Sequence, residues 1–317
     1  MIAVAGEALI DLIIDPADPA DPAAQAGQAR ARPGGGPFNV ARTVARLGQP
    51  SMFVGRLSGD RFGQLLRSSL EADGVQIAVP GQAAGPTTLA VVHLDLAGVP
   101  EYSFYLTGTA AAELDHQQAR AALPAWPDAL HVGSLGLVME PIGASLASLT
   151  ASAPEATLVM VDPNCRPAAI GSRPAYLSRL AGIVGRADVV KVSIEDLDYL
   201  SPGASVPAAA ADLLRAGPSL VLVSDGPRPV RAYTSGEEVT VAVPEEEVVD
   251  TVGAGDALGG AFLSWWTAHR RTRADLQRGE EVRQAVEAAV QVSALTCTRS
   301  GADPPRAAEL AGRPGWN

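Results

Sequence analysis

The alternation of short apolar runs with helix-length segments constrains the fold of this chain more than any other feature. The short runs are rich in β-branched residues and predict strands at 2–5, 51–54, 129–132, 157–161, 189–192 and 220–224. The segments between them predict helices at 38–47, 62–72, 142–150, 176–184, 195–200 and 208–216. Several of the strands are apolar throughout, which is typical of strands covered on both faces. The pattern therefore predicts a mostly parallel, doubly wound α/β sheet.

Three segments depart from this alternation. The C-terminal third carries apolar residues at three-to-four spacing over 257–269 and 281–298, which predicts helices. Residues 87–106 predict a hairpin around Gly98. Because a hairpin is antiparallel, we expect it to leave the main sheet and to form, with residues 9–15, a small flap over the site. Residues 15–23 repeat Asp-Pro-Ala three times, which favours extended backbone and turns and predicts a surface excursion.

Composition bounds the fold and excludes several classes of function. The 317 residues, 47% of them hydrophobic, suit one main core plus an excursion. A net charge of −11 argues against nucleic acid or an anionic membrane surface as a partner. Two cysteines set no disulfide framework, so we expect a reducing cytoplasm. No apolar run reaches the roughly 18 residues that span a bilayer, and the N-terminal segment lacks the basic leader of a signal peptide.

A phosphate-binding loop of the GxxxxGK[ST] type is also absent, because Lys191 is the only lysine and two valines precede it. The four histidines, at 93, 116, 131 and 269, match no metal-ligand spacing. Any nucleotide chemistry must therefore use arginine, backbone N–H groups and a metal ion.

The segment 250–256, with the sequence DTVGAGD, leads directly into a predicted helix. A glycine-rich turn that opens a helix points backbone N–H groups at one spot, where the helix dipole also favours negative charge. A carboxylate beside such an anion hole suits phosphoryl transfer to a hydroxyl, because the hole takes developing charge and Asp256 accepts the proton. On these residues alone, an ordinary loop-to-helix junction with Asp256 in its first turn fits equally well.

Two further polar groups are candidates for binding a sugar. A glycine cluster at 34–36 opens the next predicted helix, where glycines let a ligand approach the backbone and Asn39 offers donors and acceptors to a polyol. Asp11 follows the first predicted strand, at the end where ligands bind in open α/β sheets, and its carboxylate can hold two adjacent hydroxyls. The alternatives are a flexible hinge capped by Asn39 and a surface acid on a flap strand.

The segment 162–166, with the sequence DPNCR, follows the strongest predicted strand. It places Asn164 and Arg166 at a carboxyl end, where an arginine can neutralise a phosphate through two hydrogen bonds. A turn with a solvated arginine is the alternative. We expect Cys165 to be a packing residue, since no histidine lies near it in sequence.

Together these motifs resemble those of the PfkB/ribokinase family of carbohydrate kinases, from Gly6 to about Gly301. Residues 34–39, with Gly55 and the segment 59–63 downstream, are similar to the N-terminal signature of that family. Residues 250–256 are similar to its C-terminal signature. The resemblance implies an α/β fold, a Rossmann-like three-layer α/β/α sandwich of the ribokinase-like type with a small β lid. It implies a single domain over 1–317, with the lid formed by about 9–33 and 87–108.

The resemblance also implies roles for individual residues. Asp256 is the implied catalytic base, and the anion hole is implied to consist of the N–H groups of Gly253, Ala254 and Gly255. The implied substrate-binding residues are Asp11, Gly35, Gly36, Asn39 and Arg166. The implied nucleotide-contacting residues are Asn164, Ser193, Ser224, Gly226, Gly253 and Gly255.

The family resemblance further implies ATP and Mg²⁺ as cofactors and, in many members, K⁺. Asp196 stands where the family often has the glutamate of its magnesium motif, and a monovalent cation is implied near Asp250 and Val252, with a second loop at 299–301. In many members the lid also forms a homodimer. Lid closure over a small-molecule sugar is expected to exclude water.

Within the family, the segments 162–167 and 191–193 resemble those of bacterial fructokinases, and the first is also similar to that of 2-keto-3-deoxygluconate kinases. Three residues depart from the family pattern. Asp196 is shorter than the usual glutamate and could act through water, and Pro229 stands where glycine is common in the nucleotide loop. Leu106 replaces a frequent arginine, which makes an acidic sugar less favoured.

The sequence thus predicts a cytoplasmic ATP-dependent sugar kinase, most similar to fructokinases, that transfers the γ-phosphate to a sugar hydroxyl. The alternatives are a 2-keto-3-deoxygluconate kinase, a nucleoside kinase, or a catalytically silent sugar- or nucleotide-binding protein on the same fold. Retention of Asp256 with the whole anion turn argues against a silent protein. A Rossmann dehydrogenase is disfavoured because the first strand leads into Gly6-Glu7-Ala8-Leu9 rather than a GxGxxG turn.

Overall fold

The computed structural model describes residues 1–14, 28–94, 100–123 and 125–316. Its strands are β1 (Ile2–Ala5), β2 (Leu9–Ile14), β3 (Ala29–Gly34), β4 (Ser51–Val54), β5 (Gln76–Ile77), β6 (Thr88–Leu94), β7 (Pro100–Tyr105), β8 (Ala129–Gly133), β9 (Leu158–Asp162), β10 (Val189–Ser193), β11 (Leu220–Asp225), β12 (Arg228–Tyr233) and β13 (Glu238–Val241). Its α-helices are α1 (Gly36–Arg46), α2 (Arg61–Ala72), α3 (His116–Ala121), α4 (Ile142–Ser152), α5 (Arg173–Val184), α6 (Ile194–Leu200), α7 (Val206–Ala216), α8 (Ala254–Ala268) and α9 (Gly279–Cys297). Short 3₁₀ turns lie at Ala110–Glu113, Ser134–Leu137, Arg273–Gln277 and Ala307–Leu310.

The main sheet has nine strands among the described residues, in the order β13-β12-β11-β10-β9-β8-β1-β4-β5. All pairs from β11 to β5 are parallel, while β12 and β13 add antiparallel strands at one edge. The predicted mostly parallel α/β sheet is confirmed. The pair β12 and β13 was not predicted. Each strand has few buried apolar residues, and these are interspersed with exposed polar ones, so neither forms an apolar run.

Helices cover both faces of this sheet. Successive residues of a strand point to opposite faces of the sheet, so the side chains of β1 belong to two different cores. Ile2 and Val4 pack in a core that contains residues of α1, α8 and α9. Ala3 and Ala5 join a second core that contains residues of α4 and α5. Two buried cores on one sheet make the three-layer sandwich that was predicted.

A second, four-stranded sheet has the order β3-β2-β6-β7. Strands β6 and β7 pair antiparallel, as expected for the hairpin predicted at 87–106, whose turn at Gly98 lies outside the described residues. Strand β3 was not predicted, because the apolar residues that alternate with arginine in ARARPG are only small alanines and the segment contains a proline. Proline is tolerated there because β3 is an edge strand, which among the described strands pairs only with β2. The Asp-Pro-Ala repeats at 15–23 also lie outside the described residues.

Local sequence sets the beginnings of the helices that reach the site. Helix α1 starts with a proline in its first turn, which suits the missing N–H of that residue. Helix α8 follows Gly253, whose φ of 79° is left-handed and whose Cβ, if present, would lie 2.5 Å from that of Ala302. Glycine is therefore required at 253 for both conformation and space. Trp266 on this helix is buried and stacks on Phe262.

Two other expectations concern the whole chain. Cys165 and Cys297 are both free, and Cys165 is buried, in agreement with its expected packing role. Among the helices that the structure describes, none combines the length and the apolar character needed to cross a membrane.

Candidate active site

A cavity of about 600 Å³ separates the carboxyl edge of the main sheet from the second sheet. Its floor is formed by residues at the ends of β1, β9 and β10 and at the starts of α1 and α8: Glu7, Asn164, Arg166, Lys191, Gly35, Gly36, Asn39, Gly253, Gly255 and Asp256. Its roof is one face of the second sheet, including Asp11, Ile13, Arg30, Arg32, Ala90, Val92, Tyr102 and Phe104. The structure thus brings together residues from both ends of the chain.

Asp256 is the buried carboxylate at the centre of this floor. Asn39 Nδ2 donates a hydrogen bond to Asp256 Oδ2 at 2.8 Å. Burial raises the pKa of Asp256 to about 6, against the opposing effect of the Asn39 hydrogen bond. At neutral pH the carboxylate is therefore ionised, with one oxygen held by Asn39 and the other available to accept a proton.

The first turn of α8 supplies backbone donors at the same place. The first N–H groups of a helix have no partner within it, and Gly255 and Asp256 carry such groups in this first turn. The N–H of Ala254, which the family resemblance assigned to the anion hole, donates instead to the carbonyl of Thr251 at 3.2 Å. Asp250 fixes the preceding loop, because its Oδ1 accepts from Val252 N and its Oδ2 accepts from Gly301 N at 2.7 Å.

Asp11 lies on the roof of the cavity, half-buried on β2. Burial and, after it, the negative charge of Asp256 raise its pKa to about 7, while the charge of Arg166 opposes the shift. A Cβ at Gly34 would lie 2.1 Å from Asp11 Oδ2, so a side chain at that position would displace the Asp11 carboxylate. The predicted substrate residues Asp11, Gly35, Gly36 and Asn39 therefore border a single space, with Arg166 on the same wall.

Glu7 accepts hydrogen bonds from two separate segments beside the cavity. Its Oε1 accepts from Gly36 N at 3.3 Å, and its Oε2 accepts from Gly136 N at 2.8 Å. It is fully buried, and burial raises its pKa to about 7. Glu7 thereby joins the start of α1 to the 3₁₀ turn after β8.

The predicted nucleotide residues Ser193, Ser224 and Gly226 do not line this cavity. They lie at the same carboxyl edge, where Ser193 pairs in register with Ser224 on the neighbouring strand. Asp196 is nearby but buried, with Oδ2 accepting from Ser193 N at 2.8 Å and Oδ1 accepting from Cys165 N at 2.6 Å. In this arrangement its carboxylate fixes the start of α6 and the loop after β9.

Several cavity residues were missed or given no role in the site by the sequence prediction, among them Glu7, Arg30, Arg32 and Lys191. Arg30 and Arg32 reach the roof on β3, where Arg32 lies opposite Asp11 and donates to the carbonyl of Ser300 at 3.2 Å. Their alternate spacing would have predicted this face only if 29–34 had been identified as a strand. Lys191 had been used to exclude a phosphate loop and as part of the fructokinase-like segment 191–193, without a role in the site, yet its ammonium lies in the floor of the cavity. Leu106, in contrast, packs in a core beside the second sheet.

Comparison with known proteins identifies the family. The description "pfkB family carbohydrate kinase" applies to residues 1–308, nearly the whole chain. The chain belongs to the pfkB family of carbohydrate kinases. It is therefore an ATP-dependent sugar kinase, a phosphotransferase with an alcohol group as acceptor, and the family and activity predicted from the sequence are confirmed.

Fructokinases are prominent among the similar proteins. The chain is 33% identical to a fructokinase of Rhizobium leguminosarum bv. trifolii, over 83% of this chain and 79% of that one. It is 34% identical to fructokinase-1 of Oryza sativa subsp. japonica, over 94% and 92% of the two chains. The crystal structure of a Xylella fastidiosa fructokinase with bound ATP has a TM-score of 0.84 at 31% identity, covering 95% of this chain and 93% of that chain. A Vibrio cholerae O395 fructokinase, solved with fructose, ADP and calcium ion, has a TM-score of 0.77 at 27% identity, with 95% and 94% covered.

Proposed function

We propose that this pfkB-family kinase transfers the γ-phosphate of ATP to a hydroxyl of fructose or a closely related ketose. The observation that carries the proposal is the Asn39–Asp256 pair at the start of α8, which faces the sugar-sized cavity under Asp11. The similarity to fructokinases over most of the chain supports fructose as the sugar. A 2-keto-3-deoxygluconate kinase, a nucleoside kinase and a silent binding protein are the outcomes to be tested against it.

Sugar hydroxyls would be held from both sides of the cavity. Asn39 Oδ1 is buried and has no hydrogen-bond partner within the described part of the chain, so it is available to accept from a hydroxyl. The Asp11 carboxylate offers acceptors from the roof, and the backbone at Gly35 and Gly36 lets the ligand approach closely. These four residues would set the orientation of the sugar over Asp256.

The reaction would then proceed by in-line displacement. The Asp256 carboxylate accepts the proton of the sugar hydroxyl as its oxygen forms a bond to the γ-phosphorus. The bond from that phosphorus to the β–γ bridging oxygen breaks, and its electron pair leaves with ADP. The N–H groups of Gly253 and Gly255 would stabilise the charge on the transferred group, and Arg166 would assist from the wall of the cavity.

ATP would extend from the anion turn along the carboxyl edge of the main sheet. Asn164, Ser193, Ser224 and Gly226 follow that edge from β9 to β11, which supports them as nucleotide contacts. Mg²⁺ in kinases is held by one or two carboxylates together with substrate phosphates and water. Asp196 fits this role only through water, because both of its oxygens already accept backbone hydrogen bonds. When bound, Mg²⁺ would neutralise phosphate charge.

A monovalent cation would fit between the two loops that Asp250 joins. The side chain of Asp250 accepts hydrogen bonds from Val252 N and Gly301 N, so the 250–252 and 299–301 loops are neighbours. Carbonyl oxygens suit hard cations such as K⁺, which supports Asp250 and Val252 as its ligands.

The second sheet would act as the lid of a single domain, since its face forms the roof of the cavity. The aromatic side chain of Tyr105 on β7, which is exposed and does not line the cavity, supports a homodimer through this lid. The two free cysteines suit a reducing compartment and support a cytoplasmic location.

The proposed function is tested by measuring ADP release with ATP and Mg²⁺ over fructose, ribose, 2-keto-3-deoxygluconate, inositol and nucleosides. Each acceptor is assayed with and without K⁺. We expect fructose to give the highest kcat/KM and K⁺ to increase it. A higher kcat/KM with a nucleoside or with 2-keto-3-deoxygluconate would identify the corresponding alternative, and ADP release no faster than without any acceptor would favour a silent binding protein.

The rate is expected to depend on pH through Asp11 and Asp256. Both carboxyl groups have raised pKa values, about 7 and about 6, and both act in the ionised form. Because raising the pH deprotonates them, kcat/KM for the sugar should rise between about pH 5.5 and 7.5 and then level off. The variant Asp11→Asn should lose the component near 7 and keep the one near 6. A profile that is flat over this range in the wild type would contradict both assignments.

A further inference from the structure

Lys191 is the only lysine of the chain, and it is buried inside the cavity floor. Its Nζ lies 2.8 Å from Oδ2 of Asp162, with the two side chains 6% and 5% exposed. Burying an ammonium group is costly unless it is paired. Burial lowers the pKa of Lys191, but the charge and hydrogen bond of Asp162 outweigh this effect and hold the pKa above its ordinary value. The side chain is therefore a cation.

The ammonium group also touches the first turn of α8. A Cβ at Gly255 would lie 2.7 Å from Lys191 Nζ, so the absence of a side chain at 255 makes room for the ammonium. The N-terminus of a helix carries partial positive charge, and a cation there destabilises the helix. The carboxylates of Asp162 and Asp256 offset this cost, and the ammonium and the helix N-terminus together favour an anion placed between them.

Asp162 does not use up the capacity of Lys191 to bind such an anion. An ammonium group has three donors, and the described residues provide one hydrogen-bond partner, Asp162 Oδ2. The carboxylate of Asp162 is itself shared, because its Oδ1 accepts from Asn164 N at 3.1 Å. Donors of Lys191 therefore remain for a ligand in the cavity.

We propose that Lys191 is a catalytic residue that donates hydrogen bonds to the non-bridging oxygens of the phosphoryl group during its transfer. The inference rests on the proposed kinase function, to which it adds a full positive charge beside the anion hole. The ammonium keeps its protons throughout: the hydroxyl proton still passes to Asp256, and the electron pair of the broken P–O bond leaves with ADP. Lys191, which lies on a strand, would thereby contact phosphate as the lysine of a GxxxxGK[ST] loop does in other nucleotide-binding proteins.

A set of three variants separates this role from simple neutralisation of Asp162. Lys191→Met should lower kcat by about 10²- to 10³-fold, the range for removal of one transition-state donor, with KM for the sugar changed less than about threefold. Asp162→Asn removes the charge that pairs with the ammonium but leaves the ammonium itself, so kcat should fall less than in Lys191→Met. The double variant Asp162→Asn/Lys191→Met removes both charges and should remain as slow as Lys191→Met. Recovery of kcat in the double variant would overturn the proposal, because it would mean that Lys191 only compensates Asp162.

A spectroscopic measurement covers the case in which Lys191→Met fails to fold. Labelling the wild-type protein with ¹⁵N-lysine gives a single side-chain ammonium signal, since no other lysine is present. We expect the signal to shift when AMP-PNP and Mg²⁺ are added and to change little with fructose alone. An unchanged signal at saturating AMP-PNP would overturn the proposal. The wild-type ADP-release assay reports on the kinase function separately, so the two failures are distinguishable.

Discussion

Replacing Asp256 by asparagine is expected to lower kcat by about three orders of magnitude, within the range for loss of a general base. Asparagine has the same shape, and its amide oxygen can still accept the hydrogen bond from Asn39 Nδ2. It cannot, however, take the proton of the sugar hydroxyl. Sugar and ATP should therefore bind almost as in the wild type, which calorimetry measures independently of turnover.

A matched control is available for this substitution. Asp212 lies on α7 with its side chain 54% exposed, paired with Arg215 outside the cavity. Asp212→Asn makes the same chemical change and should leave kcat unchanged. Turnover of Asp256→Asn within about tenfold of the wild type would rule out the assignment of Asp256 as the base.

Three glycines on α8 should respond differently to the same added methyl group. At Gly255 the new Cβ meets Lys191 Nζ, the mobile end of a long side chain, at 2.7 Å. Gly255→Ala should therefore displace the ammonium and lower kcat by about 10²-fold or more, with little change in the free energy of unfolding. At Gly260 the Cβ meets Cβ and Cγ2 of Thr43 at 2.9 Å. Overpacking of α8 against α1 there should cost about 1–3 kcal/mol of stability.

Gly259 is the internal control of this series. Its Cβ would meet only Cε of Met160 at 3.4 Å, an ordinary van der Waals distance. Gly259→Ala should keep the activity and raise helix stability by up to about 1 kcal/mol. Urea denaturation and steady-state kinetics on the three variants give both quantities. A loss of kcat in Gly259→Ala equal to that in Gly255→Ala would show that any methyl group on this helix is harmful.

The layered core could be predicted from sequence because its signal is local. Strands buried on both faces are short apolar runs, and every strand of this kind from β1 to β11 in the main sheet was predicted, apart from the two-residue β5. Strands at or next to a sheet edge, such as β3 and β12, carry exposed charged residues, so their identity depends on the partner strand rather than on their own composition. Sequence patterns alone therefore described the interior of the fold better than its margins.

The candidate site shows the same limit. Asp256 and Asn39 belong to compact motifs with glycines, whose turn geometry is readable from adjacent residues. Lys191 carries no such motif, and its proximity to Gly255 follows from the order of β9, β10 and α8 in three dimensions. Arg30 and Arg32 face the cavity only because β3 pairs with β2 in one register. Roles that depend on register or on packing across the sheet could not be predicted from one sequence.

The hydrogen bond from Asn39 to Asp256 joins residues 217 positions apart. At a translation rate of 5–20 residues per second, Asp256 is made on the order of 10 to 40 seconds after Asn39. Pairing of β1 is delayed in a similar way, because one of its two neighbouring strands, β8, begins only at Ala129 and is synthesised later. For most of its synthesis, a nascent chain therefore contains Asn39 but lacks Asp256, the proposed catalytic base. The chain can become active only after α8, which carries Asp256, has been synthesised. A ribosome stalled before α8 therefore yields a chain that cannot turn over ATP.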